Sequence, residues 1–252
     1  MATRFAFWRR IDEDALAEKH AQPGLLSDFI LGSQDGLVNV LGVILGVAVA
    51  SVQKKLPDPL TIILAGGFAA AFAESISMGA VAYTSTLARR DHYIAEMARE
   101  KEEMQTMPDL ERQEVRQILE RWDFHGEELE EMLEKIVSKP KAWLEIMMAH
   151  ELNLAPVHEG QARKSAVLVG IAAIIGSLIP LVPFLVIGAN LLLGIAVSLV
   201  VSAITLFVIG WWKAKTTVGR PIRSGTQMLI IGITSALAGF GIAWLVSGGR
   251  VF

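Results

Sequence analysis

The stretch Leu60–Thr106 reads LTIILAGGFAAAFAESISMGAVAYTSTLARRDHYIAEMAREKEEMQT. Up to residue 87 it carries a single charged side chain, Glu74, and beyond that point charged side chains are frequent. A helix needs roughly 20 apolar residues to cross the hydrocarbon core of a bilayer. The first part therefore predicts a membrane span, and the second part predicts that the same helix continues into water.

Four further apolar stretches are long enough to cross a bilayer. Charged residues collect outside them, and hydrophobic residues make up 52% of the chain, more than soluble domains usually contain. We therefore predict an all-α membrane protein with five transmembrane helices and a helical domain inserted between helices 2 and 3. The predicted spans are 28–51, 60–87, 165–187, 190–212 and 226–247. The predicted domains are an N-terminal amphipathic segment (1–27), helices 1 and 2 (28–87), a hydrophilic helical segment (88–164) and helices 3 to 5 (165–252).

The composition excludes several kinds of site. The chain has no cysteine, which rules out a disulfide framework, an iron–sulfur cluster and a thiolate zinc site. It has no basic patch with interleaved aromatic residues, so nucleic acid is not a predicted partner. The N-terminal sequence lacks the continuous apolar core of a signal peptide.

Lysine and arginine residues near the ends of the spans predict the orientation. They occur before span 1, at both ends of 88–164 and in the loop 213–223, which lie on one side of a five-span protein. The opposite side has only Lys54, Lys55 and Arg250. The N-terminus and the hydrophilic segment are thus predicted to be cytoplasmic and the C-terminus to lie outside. Short tails without a recognisable eukaryotic sorting segment favour a bacterial inner (plasma) membrane.

Acidic residues inside membrane spans are costly and therefore indicate function. Asp28 and Asp35 are two turns apart on one face of span 1, although Asp28 also suits a helix cap. Glu74 lies in span 2, and Met78 follows one turn later on the same face. Asp35 and Met78 come to a similar depth, roughly 10 Å below the inner surface, and Glu74 lies about 6 Å deeper. Neither span contains a lysine or arginine to neutralise these acids.

These residue types match a metal pathway. Carboxylates with one thioether suit a divalent first-row metal better than Na⁺ or Ca²⁺. A carboxylate in a low-dielectric surrounding also readily holds a proton. Metal ions and protons can then compete for the same groups, as an antiporter requires. The structural alternative is that the acids only pair with each other through a shared proton or a water.

The hydrophilic segment carries pairs of acids that share helix faces. Its helices are predicted at 88–106, 108–122, 126–137 and 140–154. Three of them together offer carboxylates and thioethers, which is a metal-ligand set; the alternatives are a solvated acidic face and methionines that fill a core. The candidate ligands are Glu100, Glu103, Glu111, Glu114, Met147, Met148 and Glu151.

At these residues the chain resembles the vacuolar iron transporter family, in particular its plant type with a cytoplasmic metal-binding domain. The resemblance covers about residues 25–250, and its most specific part is MMAHELNL with the upstream glutamate pairs. The matching segments are SDFILGSQDGLVNVLGVILGVA, SISMGAVAY, RRDHY, EMAREKEEM, PDLERQEVRQIL, PKAWLEIMMAHELNL and IPLVPF.

The resemblance implies a homodimer that moves Fe²⁺ out of the cytosol in exchange for protons, without enzymatic activity or a resident cofactor. Mn²⁺ is the second candidate substrate, and Zn²⁺ or Co²⁺ are further ones. By position, Asp35 and Met78 match the family's intramembrane metal site, and Asp28 matches a second acid of span 1. The seven candidate ligands of the hydrophilic segment match the family's cytoplasmic metal ligands without a gap.

One position departs from the family pattern. The plant type has an acid about two turns before the SM dipeptide, where this chain has Ala70. Here the acid is Glu74, one turn nearer to Met78 on the same face. The negative charge of the pathway is kept but displaced by about 6 Å.

Two other function classes are alternatives to transport. A membrane-tethered metal sensor or storage adaptor would bind metal through the hydrophilic segment and use the spans only as an anchor. A di-iron enzyme would need Glu-x-x-His pairs. His150 has Met147 at that spacing instead of a glutamate, so an enzyme is not predicted.

Overall fold

The computed structural model describes residues 23–54, 57–188, 190–217 and 219–246. These residues form helices and short connections, and they contain no β-strand. Most of the amphipathic segment predicted at 1–27 lies outside the described residues, as does the C-terminus. The helices are α1 (Pro23–Gln53), α2 (Pro59–Thr106), α3 (Pro108–Arg121), α4 (Gly126–Val137), α5 (Pro140–Ile146), α6 (Gln161–Leu178), α7 (Val182–Ile187), α8 (Leu191–Thr216) and α9 (Pro221–Val246). One π-helical turn, Met147–Glu151, continues α5.

Five helical stretches of the described chain are long and apolar enough to cross a membrane. They are α1, α2, α6 with α7, α8 and α9, which confirms the predicted all-α membrane fold with five spans. The helix α2 has 48 residues and is therefore roughly 70 Å long, more than twice the thickness of a hydrocarbon core. The helix is therefore longer than a membrane crossing requires.

The structure has two compact units, residues 1–75 with 171–252 and residues 76–170. In the first unit α1 is packed by α8 and α9, and α8 also packs on α7. Val40, Leu41 and Ile44 of α1 are fully buried in its apolar core, together with Phe184 and Ala236. An apolar core of this kind holds the polar residues of α1 at fixed positions on the remaining faces of the helix.

Small residues allow α1 and α6 to cross closely. A Cβ atom on Gly36 would lie 2.3 Å from the carbonyl oxygen of Ala173. A Cβ atom on Gly176 would lie 2.1 Å from the carbonyl oxygen of Ser33. Both approaches are too close for any side chain, so glycine is required on each helix at this crossing.

The third span, predicted at 165–187, is interrupted. The helix α6 ends at Leu178, and α7 begins at Val182. Pro180 lies in the break, and a proline cannot continue the hydrogen-bond ladder of a helix. The buried hydroxyl of Ser198 donates to the carbonyl oxygen of Pro180 at 2.7 Å, which satisfies a backbone group that the break leaves free.

In the second unit, α3, α4 and α5 enclose a small apolar core. Val115 and Leu119 of α3 pack there with Leu133, Trp143 and Met147. Arg112 and Arg116 of α3 donate to Glu134 and Glu130 of α4, which adds ion pairs at the edge of this core.

The fourth helix predicted at 140–154 ends differently from the prediction. Its last turn is π-helical, with the N–H group of Leu152 donating to the carbonyl oxygen of Met147 at 3.1 Å, five residues back. Turns of this kind occur mostly as short insertions in helices and frequently at functional sites. The turn changes the direction of the side chains in MMAHE relative to an α-helix.

Candidate metal-binding sites

Five glutamates of the second unit converge from three helical elements; we call them the acidic cluster. Carboxylate oxygens of Glu100, Glu103 and Glu111 lie within 4.8 Å of one another. Carboxylate oxygens of Glu111, Glu114 and Glu151 form a second such group. Glu111 belongs to both groups, so carboxyl groups from α2, α3 and the π turn form one continuous cluster. All five members of the cluster are sequence-predicted ligands.

Two acids of the cluster are buried, which is rare for glutamate. Glu100 is 1% exposed and Glu111 is 2% exposed. One oxygen of each carboxyl group, Oε2, is buried without a hydrogen-bond partner among the described residues. A buried polar atom without a partner costs free energy, and a bound cation would satisfy both atoms.

Burial and mutual repulsion raise the pKa values of this cluster. Desolvation is the main cause at Glu111, with repulsion from Glu100 next, and raises its pKa to about 8. Desolvation likewise raises the pKa of Glu151 to about 7, with repulsion from Glu114 next. The pKa of Glu100 is also raised, chiefly by desolvation, although hydrogen bonding with Glu111 lowers it. Near neutral pH the metal-free cluster therefore retains protons that a divalent cation would displace.

Among the described residues, Arg99 forms ion pairs with members of this cluster, and it was not among the predicted site residues. Its Nη2 atom lies 2.9 Å from Glu96 Oε2 and 3.9 Å from Glu100 Oε1, and its Nε atom lies 3.5 Å from Glu103 Oε2. The spacing i, i+4 between Arg99 and Glu103 is the signal that predicts this pair. Arg99 supplies one positive charge against five carboxyl groups.

The two predicted methionine ligands are both buried but differ in their surroundings. Met147 is fully buried and packs in the apolar core with Val115, Leu119 and Trp143. Met148 is 3% exposed and belongs to none of the apolar clusters formed by the described residues. Core filling thus accounts for the burial of Met147, whereas Met148 is the thioether that the apolar core does not explain.

The first unit brings together acids of two spans. The amide Nδ2 of Asn39 in α1 donates to Glu74 Oε1 in α2 at 3.0 Å, and the carboxyl groups of Asp35 and Glu74 also interact. Asn39 was not among the predicted ligands, although it follows Asp35 by one turn. No ion pair joins Asp35 or Glu74 to a lysine or arginine in the described part of the chain.

Asp35 opens onto a cavity of about 240 Å³ between α1 and α9. Gln34, Asn39 and Ser235 supply its other polar groups. A larger, mainly apolar groove of about 540 Å³ shares Asn39 and Ser235 with it and continues along α1 and α9. The carboxyl group of Asp35 is therefore reachable from open space and is not sealed in the apolar core.

Asp28 and Met78 are half-buried. Asp28 lies inside α1, which begins at Pro23, so the helix-cap role that the sequence also allowed does not apply. Met78 follows Glu74 by one turn in the continuous helix α2.

A family model described as the VIT family matches residues 26–244. The chain belongs to the VIT family. The resemblance seen in the sequence is therefore confirmed. The relatives carry the names of transporters, which confirms the prediction that this VIT protein is not an enzyme.

Three relatives illustrate how far the similarity extends. Vacuolar iron transporter 2 of Oryza sativa subsp. japonica is 34% identical over 236 residues, which cover 93% of this chain and 93% of the relative. Vacuolar iron transporter 1 of Arabidopsis thaliana is 32% identical over 234 residues, covering 92% and 91%. The vacuolar iron transporter of Plasmodium berghei is 29% identical over 236 residues, covering 90% and 84%. The similarity thus includes both the spans and the hydrophilic segment.

Proposed function

We propose that this VIT protein moves divalent metal out of the cytosol in exchange for protons, with Fe²⁺ as the first substrate and Mn²⁺ as the second. The observation that carries the proposal is the pair of buried carboxyl oxygens, on Glu100 and Glu111, that have no hydrogen-bond partner among the described residues. Buried acids of this kind suit a cation as their missing partner. The names of the relatives favour iron as that cation.

The acidic cluster receives the metal in this proposal. Its five carboxyl groups and Met148 combine hard oxygen ligands with one soft sulfur, a set suited to Fe²⁺ and Mn²⁺. Met147 is retained as a seventh candidate ligand, although its packing gives it a role in the core. Zn²⁺ and Co²⁺ match the same ligand types and are the expected competitors.

Asp35, Glu74 and Met78 form the translocation path, with Asp28 at its entrance. The contact between the carboxyl groups of Asp35 and Glu74 supports a shared role, because two neighbouring carboxylates repel each other and a cation between them would relieve this repulsion. Metal ions and protons would then compete for the same two groups. This exchange is the physical basis that we propose for antiport.

The topology of the proposal follows from the distribution of lysine and arginine. The N-terminus and the hydrophilic segment lie in the cytoplasm, and the C-terminus lies outside, in a bacterial inner membrane. Two copies form a homodimer. The groove of about 540 Å³ along α1 and α9 is lined by small and apolar residues, which suits packing against another membrane helix.

Flux and proton movement can be measured together in proteoliposomes that contain the full chain. Reduced Fe²⁺ is added outside, and one trapped dye reports metal while another reports pH. We expect metal entry and a simultaneous rise of internal pH, which depends on the protein and is absent from empty liposomes. Metal entry without a pH change would contradict proton coupling but would leave metal transport standing. Metal binding to the purified protein without any flux would contradict transport and favour the sensor or storage adaptor.

A further inference from the structure

A polar cavity of about 350 Å³ lies in the second unit, away from the acidic cluster, where the apolar part of α2 gives way to its charged part. Tyr83, Thr86 and Leu87 line it from the last turns of the predicted span 60–87. Arg90 lines it from the next turn of α2. The other wall is formed by residues 157–160 and by the start of α6, including Arg163. The cavity is therefore placed at the boundary between hydrocarbon and water.

The charge of this cavity is positive and unpaired. No carboxylate that the structure describes forms an ion pair with Arg90 or Arg163. His158 and Glu159 also line the cavity, so one carboxylate stands against two guanidinium groups and an imidazole. Both arginine side chains are exposed and free to take a ligand. Guanidinium groups bind phosphate oxygens through two parallel hydrogen bonds.

The other residues that line the cavity match the apolar and headgroup-level parts of a lipid molecule. Leu87, Val157 and the buried Ala162 provide apolar surface beside the two arginines. Tyr83 is a residue type that is enriched at the level of lipid headgroups. A lipid phosphate lies at this level, with its acyl chains directed into the hydrocarbon. A soluble phosphate compound would not use the apolar surface.

We propose that this cavity binds the phosphodiester headgroup of an anionic membrane lipid, in the leaflet on the side of the hydrophilic segment. Basic pockets between transmembrane helices on the cytoplasmic side are known to take such headgroups. Arg90 and Arg163 hold the phosphate, and Tyr83 and Leu87 lie along the glycerol and the upper acyl chain. Lipid bound here fixes the start of α6 to α2 at the base of the hydrophilic segment.

The test uses the full chain, purified in detergent and stripped of lipid. Its thermal unfolding is followed with added phosphatidylglycerol, phosphatidylcholine or inorganic phosphate. A ligand that binds only the folded state raises the melting temperature, and we expect about 4 °C or more from phosphatidylglycerol. Phosphatidylcholine and inorganic phosphate should give much smaller shifts. An equal shift with inorganic phosphate would overturn the assignment to lipid, and an equal shift with phosphatidylcholine would overturn the requirement for an anionic headgroup.

Variants then locate the site. The double variant Arg90→Gln/Arg163→Gln should weaken the apparent affinity for phosphatidylglycerol roughly tenfold or more. The matched control is Arg220→Gln/Arg223→Gln, which removes the same charge from exposed positions of another basic segment and should keep the full shift. Equal losses in both double variants would show general attraction to the membrane surface and overturn the cavity.

A variant that keeps the charge separates folding from binding. In Arg90→Lys/Arg163→Lys the two charges remain, but the paired hydrogen bonds of guanidinium are lost. We expect this protein to fold and to retain part of the phosphatidylglycerol shift. If it shows the full wild-type shift and the glutamine variant does too, the two arginines do not form the site.

Discussion

In the proposed function, the acidic cluster and the acids of the spans would both bind a cation in a poorly solvated place, but with different numbers of carboxyl groups. The acidic cluster gathers five carboxyl groups from three helical elements around Glu111. In the described part of the spans, Asp35 and Glu74 interact, with Asn39 as a hydrogen-bond donor, beside an open cavity. Conduction requires an ion to bind well enough to enter and weakly enough to leave. We therefore propose that the five-membered acidic cluster captures the metal and that the pair Asp35 and Glu74 lets it pass.

The largest effect is expected from Asp35→Asn, which tests whether the acids of the spans let the metal pass. The change keeps the size of the side chain and removes its charge, so a divalent ion loses one of only two carboxylates. Even changes to the partners of metal ligands typically cost about 10–100-fold, so we expect Fe²⁺ flux to fall at least about tenfold. Proteoliposome flux is the measurement, and metal affinity of the acidic cluster should stay the same.

Asp58→Asn is the matched control for this prediction. Asp58 lies in the connection before α2, where its carboxylate accepts a hydrogen bond from the N–H group of Thr61 at 3.3 Å. Asparagine can make the same bond and tolerates the positive φ of 53° found there. Wild-type flux in Asp35→Asn, or an equal loss in Asp58→Asn, would remove Asp35 from the proposed path.

Glu111→Gln should affect capture more than passage. Glutamine resembles the protonated form that Glu111 keeps near neutral pH, so the metal-free protein should fold normally. Since Glu111 belongs to both carboxylate groups, we expect the affinity for Mn²⁺ to fall about tenfold or more, and flux at saturating metal to fall by a smaller factor. Calorimetric titration of the full chain measures the affinity.

The exposed acid Glu120, on the same helix as Glu111, provides the control. Glu120→Gln removes an equal charge outside the acidic cluster and should leave Mn²⁺ affinity near the wild-type value. Unchanged affinity in Glu111→Gln would show that the cluster is only a buried acidic core, and the assignment of capture would fail.

The spans and the acidic cluster are predicted from different features of the sequence. Length and apolar composition are sufficient for five spans, and α4 begins and ends where the sequence predicts, at Gly126 and Val137. Helical spacing also predicts the faces that bear Glu100 and Glu103 or Glu111 and Glu114. Their convergence depends on tertiary packing, which spacing within one helix does not determine.

Two features of the site lie beyond such patterns. No residue spacing in the sequence MMAHE indicates a π turn. The different surroundings of Met147 and Met148 were therefore not predicted. Pro180 does signal a weak point of the third span, but the compensating hydrogen bond from Ser198 comes from a helix distant in sequence. Long-range partners of this kind are fixed only when the helices pack.

The pH dependence of the acidic cluster gives a sharper test of capture. The pKa of Glu111 is raised from 4.5 to about 8 and that of Glu151 from 4.5 to about 7, so metal must displace protons below those values. Mn²⁺ affinity should therefore rise between about pH 5 and pH 8, with protons released on binding. Calorimetry in buffers of different ionisation enthalpy counts these protons. If the Mn²⁺ affinity does not change over this pH range, metal does not displace protons from the acidic cluster.

The same shifts predict how the metal-free protein responds to pH. A carboxyl group whose pKa is raised in the folded state keeps its proton after the unfolded chain has lost it. The contribution of Glu111 to stability is therefore complete below about pH 4.5 and is lost as the pH rises through about 8. Thermal unfolding should show this decline without metal, and saturating Mn²⁺ should oppose it. In Glu111→Gln the decline should be smaller.

The smallest effect is expected from Arg99→Gln, which tests whether the single cation beside the acidic cluster competes with metal. Its guanidinium lies within 4 Å of Glu100 and Glu103, and a positive charge there repels an incoming divalent ion. Because Arg99 is half exposed, solvent weakens this repulsion, and we expect Mn²⁺ affinity to rise only about threefold to tenfold at low ionic strength. Arg116→Gln is the control, since Arg116 pairs with Glu130 outside the cluster. A lower affinity in Arg99→Gln would mean that the guanidinium instead holds the two glutamates in their binding positions, and capture would then depend on a preformed ion pair.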